Sequence, residues 1–292
     1  MAKENVRSYI GILLIALLGL GVALAGSQGG YRVGGLPIYG LVVGLAFVIQ
    51  WAVFIHAYRN KTEMYFDLTG SVTYITVMIV AVVFSPDKDF RSWLMLGMVS
   101  IWAFRLGTFL FKRIKDAGED RRFREIKESF PRFLQTWTLQ GLWVTFSLAA
   151  ALVVVTSQKR IAFDVFAVMG ILVWIFGFGM EAIADRQKSI FRQNPENGGK
   201  FIQSGLWSWS RHPNYFGEIV LWIGVMIIAL PVLAGWQWVA LISPVFITIL
   251  LTRISGVPML EKRADEKWGG QADYEDYKAN TSVLIPLPPK GK

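Results

Sequence analysis

The chain has 292 residues, 53% of them hydrophobic and 17% charged, with mean hydropathy +0.42, which is too apolar and too charge-poor for a soluble domain of this length. It has no cysteine and only two histidines, His56 and His212, which removes disulfides, thiolate catalysis and cysteine-ligated zinc and leaves no metal site to expect. The net charge of +9 would suggest nucleic acid in a soluble protein, but in so apolar a chain it reads as basic loops at membrane ends, so no nucleic-acid partner is expected.

Apolar stretches long enough to span, about 17 to 25 residues each, fall at 9–25, 38–58, 68–84, 93–111, 136–155, 163–183, 215–232 and 236–251. An all-α, polytopic transmembrane helix bundle of about eight spans follows, with the third and the last as the shortest stretches. The first run follows Lys3 and Arg7 and ends Ala23-Leu24-Ala25, so it is either a cleavable signal or, as read here, a retained span. Gly26 to Gly30, Gly34-Gly35, Pro37 and Ser85-Pro86 punctuate the connections with turn chemistry. Gly40-x-x-x-Gly44 reads as a helix-packing notch rather than a nucleotide motif. Placing both termini on one side puts 24 of the 30 basic residues there and five on the other. The positive-inside rule then makes both termini and the long polar loops cytoplasmic in a multi-pass membrane protein.

Polar residues concentrate from Glu181 to Glu218. Glu181, Asp185, Lys188 and Arg192 are spaced to share one helical face, which points either at a ligand or at solvent. Arg211-His212-Pro213-Asn214-Tyr215-Phe216-Gly217-Glu218 opens the next span, and Pro213 suits a first helical position. Free amides at that helix start, beside Arg211, suit a phosphate, with Asn214 and Glu218 one turn apart below it. His212 either assists the anion or caps the helix. Glu218 falls near membrane depth, where an acid is costly and usually functional. Arg105, inside the fourth span, either snorkels or finds a partner. The 112–132 loop alternates charge signs and reads as a solvated, self-paired surface facing headgroups.

Arg105-Leu106-Gly107, Gly118 to Phe123, Asp185 to Phe191, Gly205 to Gly224 and Tyr274 to Pro286 resemble the steroid 5-alpha-reductase family over roughly residues 60 to 288. More distantly they resemble sterol C14 reductases and membrane isoprenylcysteine methyltransferases. The resemblance implies a seven-span reductase core at 38–292, with residues 1–37 as an extra N-terminal helix and loop. It also implies NADPH as cofactor and a sterol-like hydrophobic substrate taken from the lipid bilayer, in which an enone double bond is saturated. Asp185, Lys188, Arg192, Lys200, Arg211, His212, Asn214, Tyr215, Glu218 and Arg253 match or lie beside its cofactor-binding positions. Asp67, Tyr65, Arg105 and Glu218 are the catalytic candidates, with Glu63 and Tyr74 as substitutes. Phe66 and Trp102 stand where the family carries a glutamine and a phenol, so the carbonyl-polarising group stays open. Arg105 would be satisfied by Asp67 or by a cofactor phosphate. The alternatives are an S-adenosylmethionine-dependent membrane methyltransferase and a non-catalytic lipid-binding protein.

Overall fold

A computed structural model describes residues 2–289, with the side chains of Ala2, Lys3, Ala117 and Arg121 outside the description. The chain is helical almost throughout: α1 (Ala2–Gly26), α2 (Ile38–Arg59), α3 (Phe66–Phe84), α4 (Phe90–Ala117), α5 (Phe130–Thr156), α6 (Val165–Gln193) and α7 (Pro213–Ala229). α8 (Ile242–Ile249), α9 (Val257–Trp268) and α10 (Ala272–Asn280) complete the order. A two-residue hairpin, β1 (Arg32–Val33) with β2 (Leu36–Pro37), closes the turn before α2. Seven helical runs among the described residues are long and apolar enough to cross a membrane, and α7, at 17 residues, is a shorter apolar helix beside them. This is an integral, multi-pass helical membrane protein.

Side-chain exposure matches that solvent. Leu13, Leu14, Leu17 and Leu18 of α1 are each 54–59% exposed, a cost in water and none in hydrocarbon. The helices outrun the apolar stretches that announce them: α4 continues to Ala117 and α6 to Gln193, because helical hydrogen bonding does not stop where hydrophobicity does. The last span, Gly235–Trp268, loosens into a π-helical turn at Leu250–Ile254 and bends at 255–256 before α9.

The chain divides into two compact units, Met1–Asp164 with Ala229–Ser243, and Val165–Ile228 with Pro244–Lys292. In the first, α5 is the central helix: every residue from Leu148 to Val155 is at most 1% exposed, as expected of a helix apolar on all sides. Asp89 starts α4 by accepting the Ser92 amide at 2.8 Å, an N-cap that satisfies a free donor. Its lone pairs, Asp87 and Asp164 take up Arg160, Tyr31 and Arg91 respectively, so the charges between α3 and α6 are largely paired among themselves. In the second unit α6 and α7 cross at glycines. A Cβ on Gly217 would lie 2.5 Å from the Glu181 amide nitrogen and 2.6 Å from the Gly177 oxygen, and one on Gly224 would lie 2.7 Å from the Gly170 oxygen. The two backbones touch there, as small residues permit in membranes. The notch expected at Gly44 is not one, since a side chain there would meet nothing within 4 Å.

Candidate functional site

In the first unit, α3 and α4 form an antiparallel hairpin. Asp67, Ser71 and Tyr74 are spaced to share one face of α3, and Arg113, Gly107 and Trp102 answer them from α4. Asp67 Oδ2 lies 3.8 Å from Arg113 Nη2. A Cβ on Gly107 would come 2.5 Å from Ser71 Cβ, so the glycine of Arg105-Leu106-Gly107 lets the helices approach. The Tyr74 ring stands edge-on to buried Trp102, with centroids 5.1 Å apart. Arg105 is partly buried on the same helix, while Tyr65, exposed just before α3, stacks on Phe111.

Glu63 is buried at the α2–α3 turn, where it accepts the Asp120 amide at 2.9 Å and Lys127 Nζ at 2.8 Å. It ties the charged 112–132 loop down and is not the spare acid that the sequence offers. Asp120 in turn accepts the Arg122 guanidinium through both oxygens. Burial raises its carboxyl pKa, but those bonds outweigh burial and hold it below the ordinary carboxylate value. Self-pairing of this loop is as expected; Arg113, counted with the loop charges in the sequence, stands against Asp67 instead.

In the second unit the glycine crossing aligns the polar groups of α6 and α7. Glu181 and Asp185 are buried on α6, and Asn214 Nδ2 donates to Asp185 Oδ1 at 3.1 Å. Glu218 follows Gly217 at the crossing and is partly buried. The 205–208 turn is fastened to α6: Trp207 Nε1 donates to the Ala184 oxygen at 3.0 Å, and Gln187 Oε1 accepts the Leu206 amide at 2.9 Å. Lys188 Nζ sits 4.2 Å from the Trp207 ring centroid, a cation–π contact.

Arg211 is used differently from what the sequence suggests. Its guanidinium donates to Glu261 Oε2 at 2.8 Å and to the carbonyls of Lys278 and Thr281 at 2.5 and 3.2 Å. Its amide donates to the Ser282 oxygen at 2.8 Å. Arg211 therefore clamps α9 and the segment after α10, and the phosphate site read from the sequence at the α7 start lacks its guanidinium. His212 Nε2 meets Glu261 Oε1 at 2.7 Å, while buried Nδ1 has no partner among the described residues. Burial pushes the imidazole pKa below its ordinary value, against the pull of Glu261. Tyr215 stacks on this ring.

The remaining basic candidates, Arg192, Lys200 and Arg253, are exposed. Lys200 lines a cleft of about 230 Å³ with Phe191, Phe201, Gln203, Ser204 and Asp273. Arg253 projects from the π-helical turn, a backbone feature frequent at functional sites. Neither Lys200 nor Arg253 has an ion pair among the described residues. Among those residues no three metal-ligating side chains gather.

Residues 53–281 match the family described as a protein of unknown function, DUF1295. The chain belongs to the DUF1295 family. The family stands with steroid reductases by its relatives' names. This member is 27% identical to rat (Rattus norvegicus) 3-oxo-5-alpha-steroid 4-dehydrogenase 1 over 56% of this chain and 59% of that one. It is 27% identical to steroid 5-alpha-reductase DET2 of Gossypium hirsutum over 40% of this chain and 41% of that one. It is 30% identical to the Delta(14)-sterol reductase of Arabidopsis thaliana over 30% and 23%. The chain thus spans less than two thirds of the length of these curated relatives. No solved structure matches it significantly.

Proposed function

We propose that this DUF1295 member is a membrane oxidoreductase that uses NADPH to saturate the activated double bond of an enone in a steroid-like or other hydrophobic lipid. The observation that carries this reading is the hydrogen bond between buried Asp185 and half-buried Asn214, beside Glu218 at the glycine crossing of α6 and α7, in the stretch that resembles the reductases. The names of the similar proteins support the same reaction class.

The donor set suits a phosphate-bearing dinucleotide. Lys200 and Arg253 are cations open to phosphate, and the Lys200 cleft adds aromatic and hydroxyl groups. Asp185, Asn214 and Glu218 would hold the nicotinamide end, with Lys188, Arg192 and Tyr215 alongside. Arg211 and His212 act one step back, by fixing the start of α7 through Glu261. NADPH, when bound, would supply the hydride, and a proton from water would complete the saturation at the neighbouring carbon.

In the first unit, Asp67 is assigned to the carbonyl oxygen, either directly as a protonated carboxyl that donates a hydrogen bond or, as a carboxylate beside Arg113, by orienting the Tyr65 or Tyr74 hydroxyl that donates. A group aimed where an enolate develops stabilises the transition state more than the ground state. The strong segregation of basic residues supports cytoplasmic termini; a bacterial inner membrane, and residues 1–37 as an addition to the reductase core, are carried by the resemblance to the reductases alone. The reading is tested by NADPH binding to Asn214→Ala and Glu218→Ala. Each loses a polar contact of about 1.5 to 3 kcal/mol, so affinity falls roughly tenfold or more. Wild-type NADPH affinity in both variants would remove this pair from the cofactor site.

A further inference from the structure

α1 and α5 run parallel, since Gly11 lies against Gln135 and Gly19 is within reach of Leu142. Both helices therefore begin at the same membrane face. Between their first turns lies a cleft of about 340 Å³, lined by Glu4, Arg7 and Ser8 of α1, by Arg132, Gln135 and Thr136 of α5, and by Ile126. The packing that shapes it is close: a Cβ on Gly11 would lie 2.1 Å from Gln135 Nε2. Neither Arg7 nor Arg132 has an ion pair among the described residues, whereas Glu4, the one carboxylate on the lining, is not free. Ser129 opens α5 without a side-chain cap, so first-turn amides at this end still want acceptors.

Two unpaired guanidiniums with neutral donors between them describe a receptor for an oxyanion, because the fork of an arginine matches phosphate oxygens. What lies beside the cleft narrows the anion's identity. Ile10, Leu14 and Leu17 follow Arg7 along one stripe of α1 and are 52–55% exposed. A ligand with a phosphate and long apolar chains satisfies both parts, whereas free phosphate uses only the first. We propose that this cleft binds the phosphate of an anionic phospholipid, with its acyl chains lying along α1. The first helix then anchors a specific lipid against α5, in addition to crossing the bilayer.

The test uses the full chain in neutral detergent, beside the double variant Arg7→Gln/Arg132→Gln. Both are titrated with phosphatidylglycerol, phosphatidylcholine and inorganic phosphate, with bound lipid counted by native mass spectrometry. Wild-type protein should retain phosphatidylglycerol at least about tenfold more tightly than the variant, since two charge-assisted contacts are lost. Phosphatidylcholine should bind both proteins alike and weakly, and inorganic phosphate should not displace the lipid at equal concentration. Equal phosphatidylglycerol binding by both proteins overturns the proposal, as does equally tight phosphatidylcholine. Displacement by an equal concentration of inorganic phosphate assigns the cleft to free phosphate and also overturns it. Should the double variant fail to fold, the single variants carry the same readings.

Discussion

At the scale of single residues, the assignment of Asp67 makes the sharpest claim. Its carboxyl group faces Arg113 across the α3–α4 hairpin, and, as a protonated donor or through a tyrosine hydroxyl it orients, it is proposed to serve an enolate charge that exists only as the enone accepts hydride. Asp67→Asn should therefore lower the single-turnover rate of NADPH oxidation with an accepted enone by tenfold or more, equivalent to about 1.4 kcal/mol for one lost contact, while NADPH affinity holds. A wild-type rate would exclude Asp67 from the chemistry. His212 carries a prediction about pH. With its folded pKa below the unfolded value of 6.5, the unfolded chain takes up more protons, so stability is full above that value and falls as pH drops below it. Thermal unfolding in detergent from pH 8 to 5 should show that loss, and His212→Gln should flatten it; an unaltered profile would mean the acid sensitivity lies elsewhere. Asp67 is a candidate in the sequence only through the resemblance to the reductases, whereas Asn214 is one by its place at a helix start, one turn before Glu218. Arg113 and Arg211 are not, because an arginine's role depends on which carboxylate or carbonyl the fold brings to it, and here those are Asp67 and the Glu261–Thr281 region.

At the scale of elements, hydropathy alone makes the helices legible, since each span must hide its backbone from lipid along its whole length. Helix ends are less so: the polar last turns of α4 and α6 look like loop. Helix contacts are least legible, because four-residue glycine spacing does not say which face meets a neighbour. Gly40-x-x-x-Gly44 looks like a notch and leaves Gly44 open, while the working glycines are seven apart, Gly170 and Gly177 against Gly217 and Gly224. Gly217→Ala should destabilise the protein by about 1 to 3 kcal/mol, as overpacking against rigid backbone does, and should weaken NADPH binding by displacing Glu218 and Asn214. Gly44→Ala should be neutral or stabilising by up to about 1 kcal/mol, the helix-propensity gain alone. Detergent melting curves compare them directly, and equal melting temperatures for the two variants would refute the packing account.

At the scale of the whole molecule, membrane character follows from composition, and the family from short polar strings that composition does not dictate. Division into two compact units was not legible, because the second unit is assembled from two separated stretches and no linker announces it. Cofactor choice is the claim on which the functional account turns. The methyltransferase alternative shares the Arg-His-Pro and terminal tyrosine-rich motifs; Glu218 directly after Gly217 and the Asp185–Arg192 face favour the reductase, and ligand binding separates the two. Only a ligand that binds the folded state raises its stability. The deciding measurement is a thermal-stability titration of the detergent-purified chain with NADPH, NADH and S-adenosylmethionine: a saturable rise with NADPH, weaker with NADH and absent with S-adenosylmethionine, is the predicted result, and stabilisation by S-adenosylmethionine with none by NADPH would contradict the account.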